Sequence, residues 1–139
     1  MPARDRIHYP VKNALTKAGW RITDDPYTIE YEEMTVFADL AADQPLLAAE
    51  RHGDKIVVEI KSFSGRSPVH DLEEALGQYV VYMGLLTEAA PERKLYLAIA
   101  DTVHDELFSL KAVVTILRCQ PMSLIVVDVE AEEVVRWIG

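Results

Sequence analysis

The sequence predicts a mixed-sheet α/β domain, and three observations carry that expectation. Apolar stripes at helical spacing alternate with short β-branched runs, in the order helix, strands, helix, strand, helix, strands. The run Ile56-Val57-Val58 is apolar on both faces, as a central strand covered from both sides must be. The chain has 139 residues, half hydrophobic and 27% charged, which suits one globular core and one domain spanning 1–139.

Ile7 to Gly19 predicts a helix, since Ile7, Val11, Ala14, Leu15 and Ala18 share one stripe and Gly19 suits its stop. His8, Lys12 and Asn13 fall off that stripe, and His8 and Lys12 are expected on a solvated face. Trp20 to Phe37 reads as broken strand, with Asp24-Asp25-Pro26 as a turn and Tyr27 to Tyr31 alternating as a half-buried strand. Leu46 to Glu50 is expected to be a strand, Arg51 to Lys55 a hairpin loop, and Ile56 to Phe63 the central strand. Pro68 suits the first position of a helix running to about Glu88, with Leu72, Leu76, Tyr79, Val80 and Met83 as its main apolar face. Lys94 to Ile99 is a buried strand and Val103 to Arg118 is mostly helical. Leu124 to Asp128 and Val134 to Ile138 close the sheet across the acidic turn Glu130 to Glu133. Trp20 and Trp137 are expected as core or interface anchors.

Composition narrows the function. No stretch is long and apolar enough to span a membrane, and Met1 to Arg6 lacks the apolar core of a secretory signal. The single cysteine, Cys119, forms no intrachain disulfide and reads as a core or helix-end residue, so a reducing cytoplasm is expected. His52, His70 and His104 have no metal-ligand spacing. The net charge of −9 predicts weak DNA binding by the chain alone, because nucleic-acid affinity rests on lysines and arginines that neutralise phosphates. A few convergent basic residues, or a partner protein, would have to supply a positive surface.

Chemistry concentrates at the end of the central strand. Glu59 and Lys61 are two apart and therefore project from one face. Asp39 precedes Glu59 by 20 positions and can return beside it across a hairpin, with Asp43 as its nearest rival. Two carboxylates and a lysine at one point suit phosphodiester cleavage, which needs a hard cation to polarise phosphate and activate water. Asp39, Glu59 and the Ile60 backbone carbonyl are the candidate ligands of Mg²⁺ or Mn²⁺, and Lys61 the group that orients water or steadies phosphate charge. Glu50 is either a third acid of the site or a cross-strand partner of Lys55 or Lys61. Gln78 and Tyr82, at i and i+4, share a helix face that can be aimed at the same point, Gln78 towards Lys61 or a phosphate and Tyr82 towards backbone.

Asp39…Glu59-Ile60-Lys61 followed by Gln78-x-x-x-Tyr82 resembles the PD-(D/E)xK nuclease superfamily, with a restriction endonuclease-like mixed sheet flanked by helices. Val11 to Leu15, Gly19-Trp20, Ala48 to Glu50, Val58 to Phe63, Ala75 to Tyr79 and Leu95 to Ala98 resemble, in order, the XisH family of fdxN-element excision controlling factors from heterocyst-forming cyanobacteria. Ala38 stands where the motif has proline, the first helix offers Asp5 and His8 in place of a glutamate, and Ala41 to Pro45 reads as an insertion. The resemblance implies a role in programmed DNA excision and a companion XisI-type protein. Two functions follow: a Mg²⁺- or Mn²⁺-dependent DNA endonuclease using Asp39, Glu59 and Lys61, or a non-catalytic accessory factor that binds its partner and steers a site-specific recombinase. A symmetric homodimer is the expected assembly.

Overall fold

A computed structural model describes residues 4–44 and 54–139. Its elements are α1 (His8–Lys17), β1 (Arg21–Asp24), β2 (Tyr27–Tyr31), β3 (Met34–Ala38), β4 (Leu40–Gln44), β5 (Asp54–Ile60), α2 (Pro68–Ala89), β6 (Lys94–Ala100), α3 (Asp101–Glu106), α4 (Lys111–Cys119), β7 (Leu124–Asp128) and β8 (Glu133–Ile138). Among the described residues, six strands form one sheet in the order β1-β4-β5-β6-β7-β8, and β2 and β3 form a separate hairpin. The β5-β6 and β6-β7 pairs are parallel, and the outer pairs are antiparallel. This mixed sheet flanked by helices is consistent with the restriction endonuclease-like fold class. Among the described residues, no helix is long and apolar enough to cross a membrane.

The parity of β5 organises both cores. Ile56, Val58 and Ile60 point to one face, where Ile7, Val11, Ala14 and Leu15 of α1 cover them. Val57 points to the other, where Leu72, Ala75, Tyr79 and Leu86 of α2 pack with Ile29, Leu97 and Ile99. Glu59 and Lys61 share the parity of Val57 and so face α2.

Local chemistry sets the helix ends. Gly19, at φ +94°, ends α1 in a Schellman motif, with Trp20 N–H donating to Leu15 C=O and Gly19 N–H to Thr16 C=O. The Ser67 hydroxyl accepts from His70 N–H at 3.2 Å and caps α2, with Pro68 in its first turn.

Several expectations need correction. Residues 41–44 are strand, not insertion: β4 pairs with β5, Leu40 opposite Val58. β5 begins at Asp54, so Asp54 and Lys55 belong to the strand rather than to a loop. The strand expected over Leu46 to Glu50, with Glu50 itself and the loop residues 51–53, lies outside the described residues. The expected helix from Val103 is broken between α3 and α4 at residues 107–110. Val80 and Met83 are 48% and 38% exposed, because α2 buries the Leu72/Ala75/Tyr79/Leu86 stripe instead. Cys119 takes the helix-end alternative of its two expected placements, exposed as the last residue of α4. Trp20 is buried and stacks at 5.4 Å on the partly exposed Trp137.

His8 is the largest departure: it is 1% exposed, not solvated. Its Nε2 lies 3.0 Å from Asp25, which also accepts from Lys12 at 2.8 Å and Arg4 at 3.2 Å. Burial works against ionisation of Asp25, but the hydrogen bonds from Lys12, His8 and Arg4 outweigh it and hold its pKa down at about 2. Arg4 and Lys12 are thus committed to an internal carboxylate.

Candidate functional site

Glu59 and Asp39 meet where β5 ends and β4 begins. Asp39 sits between β3 and β4, and continuing the Leu40–Val58 register by one residue sets it opposite Glu59. Its Oδ2 accepts a hydrogen bond from Ile60 N–H at 2.7 Å. The N–H and C=O of one strand residue point to the same edge, so the Ile60 carbonyl faces the Asp39 side; Lys61 N–H points the other way, to Ala98 C=O.

Glu59 is uncompensated. Its Oε1 is buried with no hydrogen-bond partner among the described residues. Burial first, then the negative charge of Asp39 and a hydrogen bond shared with it, push the Glu59 carboxyl up to about 9. Lys61 pulls the other way, as the weakest influence.

Lys61 has turned to α2. Its Nζ donates to Glu74 Oε1 at 2.5 Å, with the lysine side chain 16% exposed and that of Glu74 48%. The structure therefore brings Asp39 and Glu59 together, with Lys61 beside them but paired elsewhere. Lys61 pairs with Glu74 rather than with Gln78, which is half-buried one turn further along α2. Tyr82 donates from its hydroxyl to the Phe37 carbonyl at 3.2 Å, so α2 is pinned to the strand that leads into Asp39. Burial and the charges of Glu59 and Asp39 push the Tyr82 phenol up to about 12. It stays protonated and serves as a donor.

Two contributors escaped the sequence reading. Glu74 lies four residues before Gln78, so the stripe Glu74-Gln78-Tyr82 was visible as spacing, but nothing in the sequence marked Glu74 as the partner of Lys61. Asp5, weighed as a substitute acid, is a brace instead: Oδ2 accepts from Ser62 N–H at 2.9 Å and Oδ1 from Ile7 N–H at 3.0 Å. It ties the start of α1 to the chain leaving the site.

Among the described residues, no three His, Cys, Asp or Glu side chains cluster as a metal cage. Mg²⁺ keeps several waters and takes only one or two carboxylates. A buried oxygen without a partner, a second carboxylate and a strand carbonyl at one edge fit that smaller donor set.

Comparison with known proteins bears on the whole chain. The family model for XisH protein matches residues 1–135. A crystal structure of an XisH family protein from Nostoc punctiforme PCC 73102 superposes with a TM-score of 0.87 at 36% identity, covering 97% of this chain and all of that one. A crystal structure of an fdxN element excision controlling factor protein from Anabaena variabilis gives 0.86 at 39% identity, covering 98% and 100%. No curated protein matches. With a family model spanning nearly its full length and two solved relatives of the same shape, this chain belongs to the XisH family.

Proposed function

We propose that this chain is a PD-(D/E)xK-type, divalent-cation-dependent DNA endonuclease acting in programmed DNA excision, as the name of its Anabaena relative suggests. The observation that carries this reading is the buried, partnerless Glu59 Oε1 beside Asp39. A protein that leaves two acids together in a partly desolvated place has a use for the charge.

Asp39, Glu59 and the Ile60 carbonyl are the residues that would hold Mg²⁺ or Mn²⁺. The cation supplies polarisation of the phosphate and a lowered pKa for the attacking water. Lys61, released from Glu74 by the incoming backbone, donates to the phosphate at the charge that develops there. Gln78 adds a neutral donor on the same stripe, and Tyr82 fixes the approach of β3.

The net charge of −9, with Arg4 and Lys12 already engaged by Asp25, leaves little free positive surface for DNA. A companion protein, of the XisI type that the family implies, supplies it in this reading. The cytoplasm is the compartment, and a symmetric dimer would present two sites to two strands. A purely accessory role leaves the carboxylate pair without a purpose.

The test is calorimetric titration of Mn²⁺ into the wild type and Glu59→Ala, followed by both proteins on supercoiled plasmid, alone and with the companion. Heat and nicking in the wild type, lost in Glu59→Ala, in Lys61→Ala (nicking only) and in EDTA, are expected. Absence of both heat and nicking in the wild type removes the enzyme.

A further inference from the structure

We infer that the outer face of α2 is the docking site for an amphipathic helix of another protein, apolar along one stripe and flanked by Lys and Arg. The face is not what solvent selects. Val69, Val80, Val81 and Met83 are 65%, 48%, 43% and 38% exposed. Gly77 and Gly84 lie between them, seven residues apart on the same side of the helix. A Cβ at either position meets nothing within 4 Å, so no packing among the described residues explains the missing side chains. Glycine and valine are poor choices in an exposed helix interior, where Ala, Glu, Lys or Gln propagate the helix better. Small residues flanked by exposed apolar ones leave a shallow groove that another helix can approach closely.

Charge decides the occupant. Of the acids of α2, Asp71 is buried and accepts from Gly65 N–H and Glu74 is held by Lys61, which leaves Glu73 and Glu88 exposed beside the groove, and the helix has no Lys or Arg. A second copy fits poorly. Antiparallel packing that sets Gly77 against Gly84 of the other copy also sets Glu73 against Glu88, twice, since both pairs share one midpoint. Parallel packing places each acid against itself. Like charges facing across a helix contact oppose association, and opposite charges steer it. The inference stands whether or not the chain cuts DNA.

The probe is a synthetic 22-residue amphipathic helix with a Leu/Ala stripe and Lys flanks, titrated by fluorescence anisotropy into the full chain; its control carries Glu flanks on the same stripe. Binding at least tenfold tighter for the Lys form is expected. Val80→Glu should weaken that binding at least tenfold with the fold unchanged by circular dichroism. Gly77→Ala with Gly84→Ala should raise the melting temperature yet weaken the peptide at least fivefold, a divergence that a merely structural face would not produce. Equal binding of the two peptides, or binding unmoved by Val80→Glu and by the double alanine, overturns the proposal. So does a dimer of the free chain in sedimentation that Val80→Glu dissolves, which assigns the face to a second copy.

Discussion

Adding a divalent cation at neutral pH should expel about one proton from the Asp39/Glu59 pair. With the Glu59 carboxyl pushed up to about 9, only about one pair in a hundred lacks its proton at pH 7. The proton belongs to the coupled pair rather than to either acid alone. A cation bound by both carboxylates must displace it, so apparent affinity should rise about tenfold per pH unit, or about hundredfold from pH 6 to pH 8. The rise should level off near pH 9, where the pair ionises unaided. Calorimetry of Mn²⁺ binding in two buffers of different ionisation enthalpy reads the released proton directly. Binding of undiminished strength at pH 6, with no dependence of heat on buffer, would falsify the claim that this pair is the ligand.

Three further perturbations separate the charges around the site. Glu59→Gln should abolish Mn²⁺ binding and stabilise the free protein: at pH 7 a carboxyl that ordinarily ionises at 4.5 is held protonated, which costs about 3 kcal/mol at most, or roughly 10 °C in melting temperature. The sign follows from linkage. The folded-state pKa is raised, so wild-type stability from this group is full below about 4.5 and declines until about 9, and thermal melts of Glu59→Gln should lack that decline. Asp25→Asn should cost about 1–2 kcal/mol after allowance for solvent screening, and the loss should fade as pH falls from 3.8 towards 2, because a depressed carboxylate pKa gives its full stability above the unfolded value of 3.8 and loses it as pH falls through the folded one; urea melts at pH 7 and pH 2 check it. Glu74→Gln should leave stability within about 0.5 kcal/mol but weaken Mn²⁺ binding several-fold, since a freed Lys61 turns back and competes for the carboxylates; unchanged affinity in calorimetry would count against the Lys61–Glu74 pair as the reason the site is uncompensated.

The strands β2, β5, β6, β7 and β8 and the ends of α2 were legible because period-2 and period-3.6 patterns report burial, and Ser67-Pro68 reports a cap. The placement of Asp39 beside Glu59 needed only a hairpin whose register the apolar strand dictates. What stayed hidden was pairing between elements distant in sequence. His8 looked like a solvated residue because its partner, Asp25, lies in a turn 17 positions away, and a buried imidazole beside a carboxylate carries no local signature. Val80 and Met83 looked like core because they are apolar at helical spacing. Periodicity gives the width of an apolar stripe, but only the tilt of the helix on the sheet decides which edge is buried. β4 was missed because Leu40-Ala41-Ala42 is too short and alanine-rich to show β character, although each of those residues is buried between β1 and β5.

Asp39 holds two roles that a single substitution confuses. Glu59 and Lys61 reach the α2 face only in the present register of β5; a slip of one residue would drive both charges into the apolar layer under α1 and turn Ile60 to the α2 face. The hydrogen bond from Ile60 N–H to Asp39 helps to hold that register, while the charge of Asp39 helps to keep the proton on Glu59. Removing Asp39 therefore disturbs the strand pairing and the electrostatics together, and loss of cation binding would not say which mattered. Among the described residues Glu59 makes no hydrogen bond through its buried Oε1, so replacing it by glutamine removes the titratable proton with little mechanical consequence. Substitution at residue 59 is for that reason the one that isolates the site chemistry from the fold that presents it.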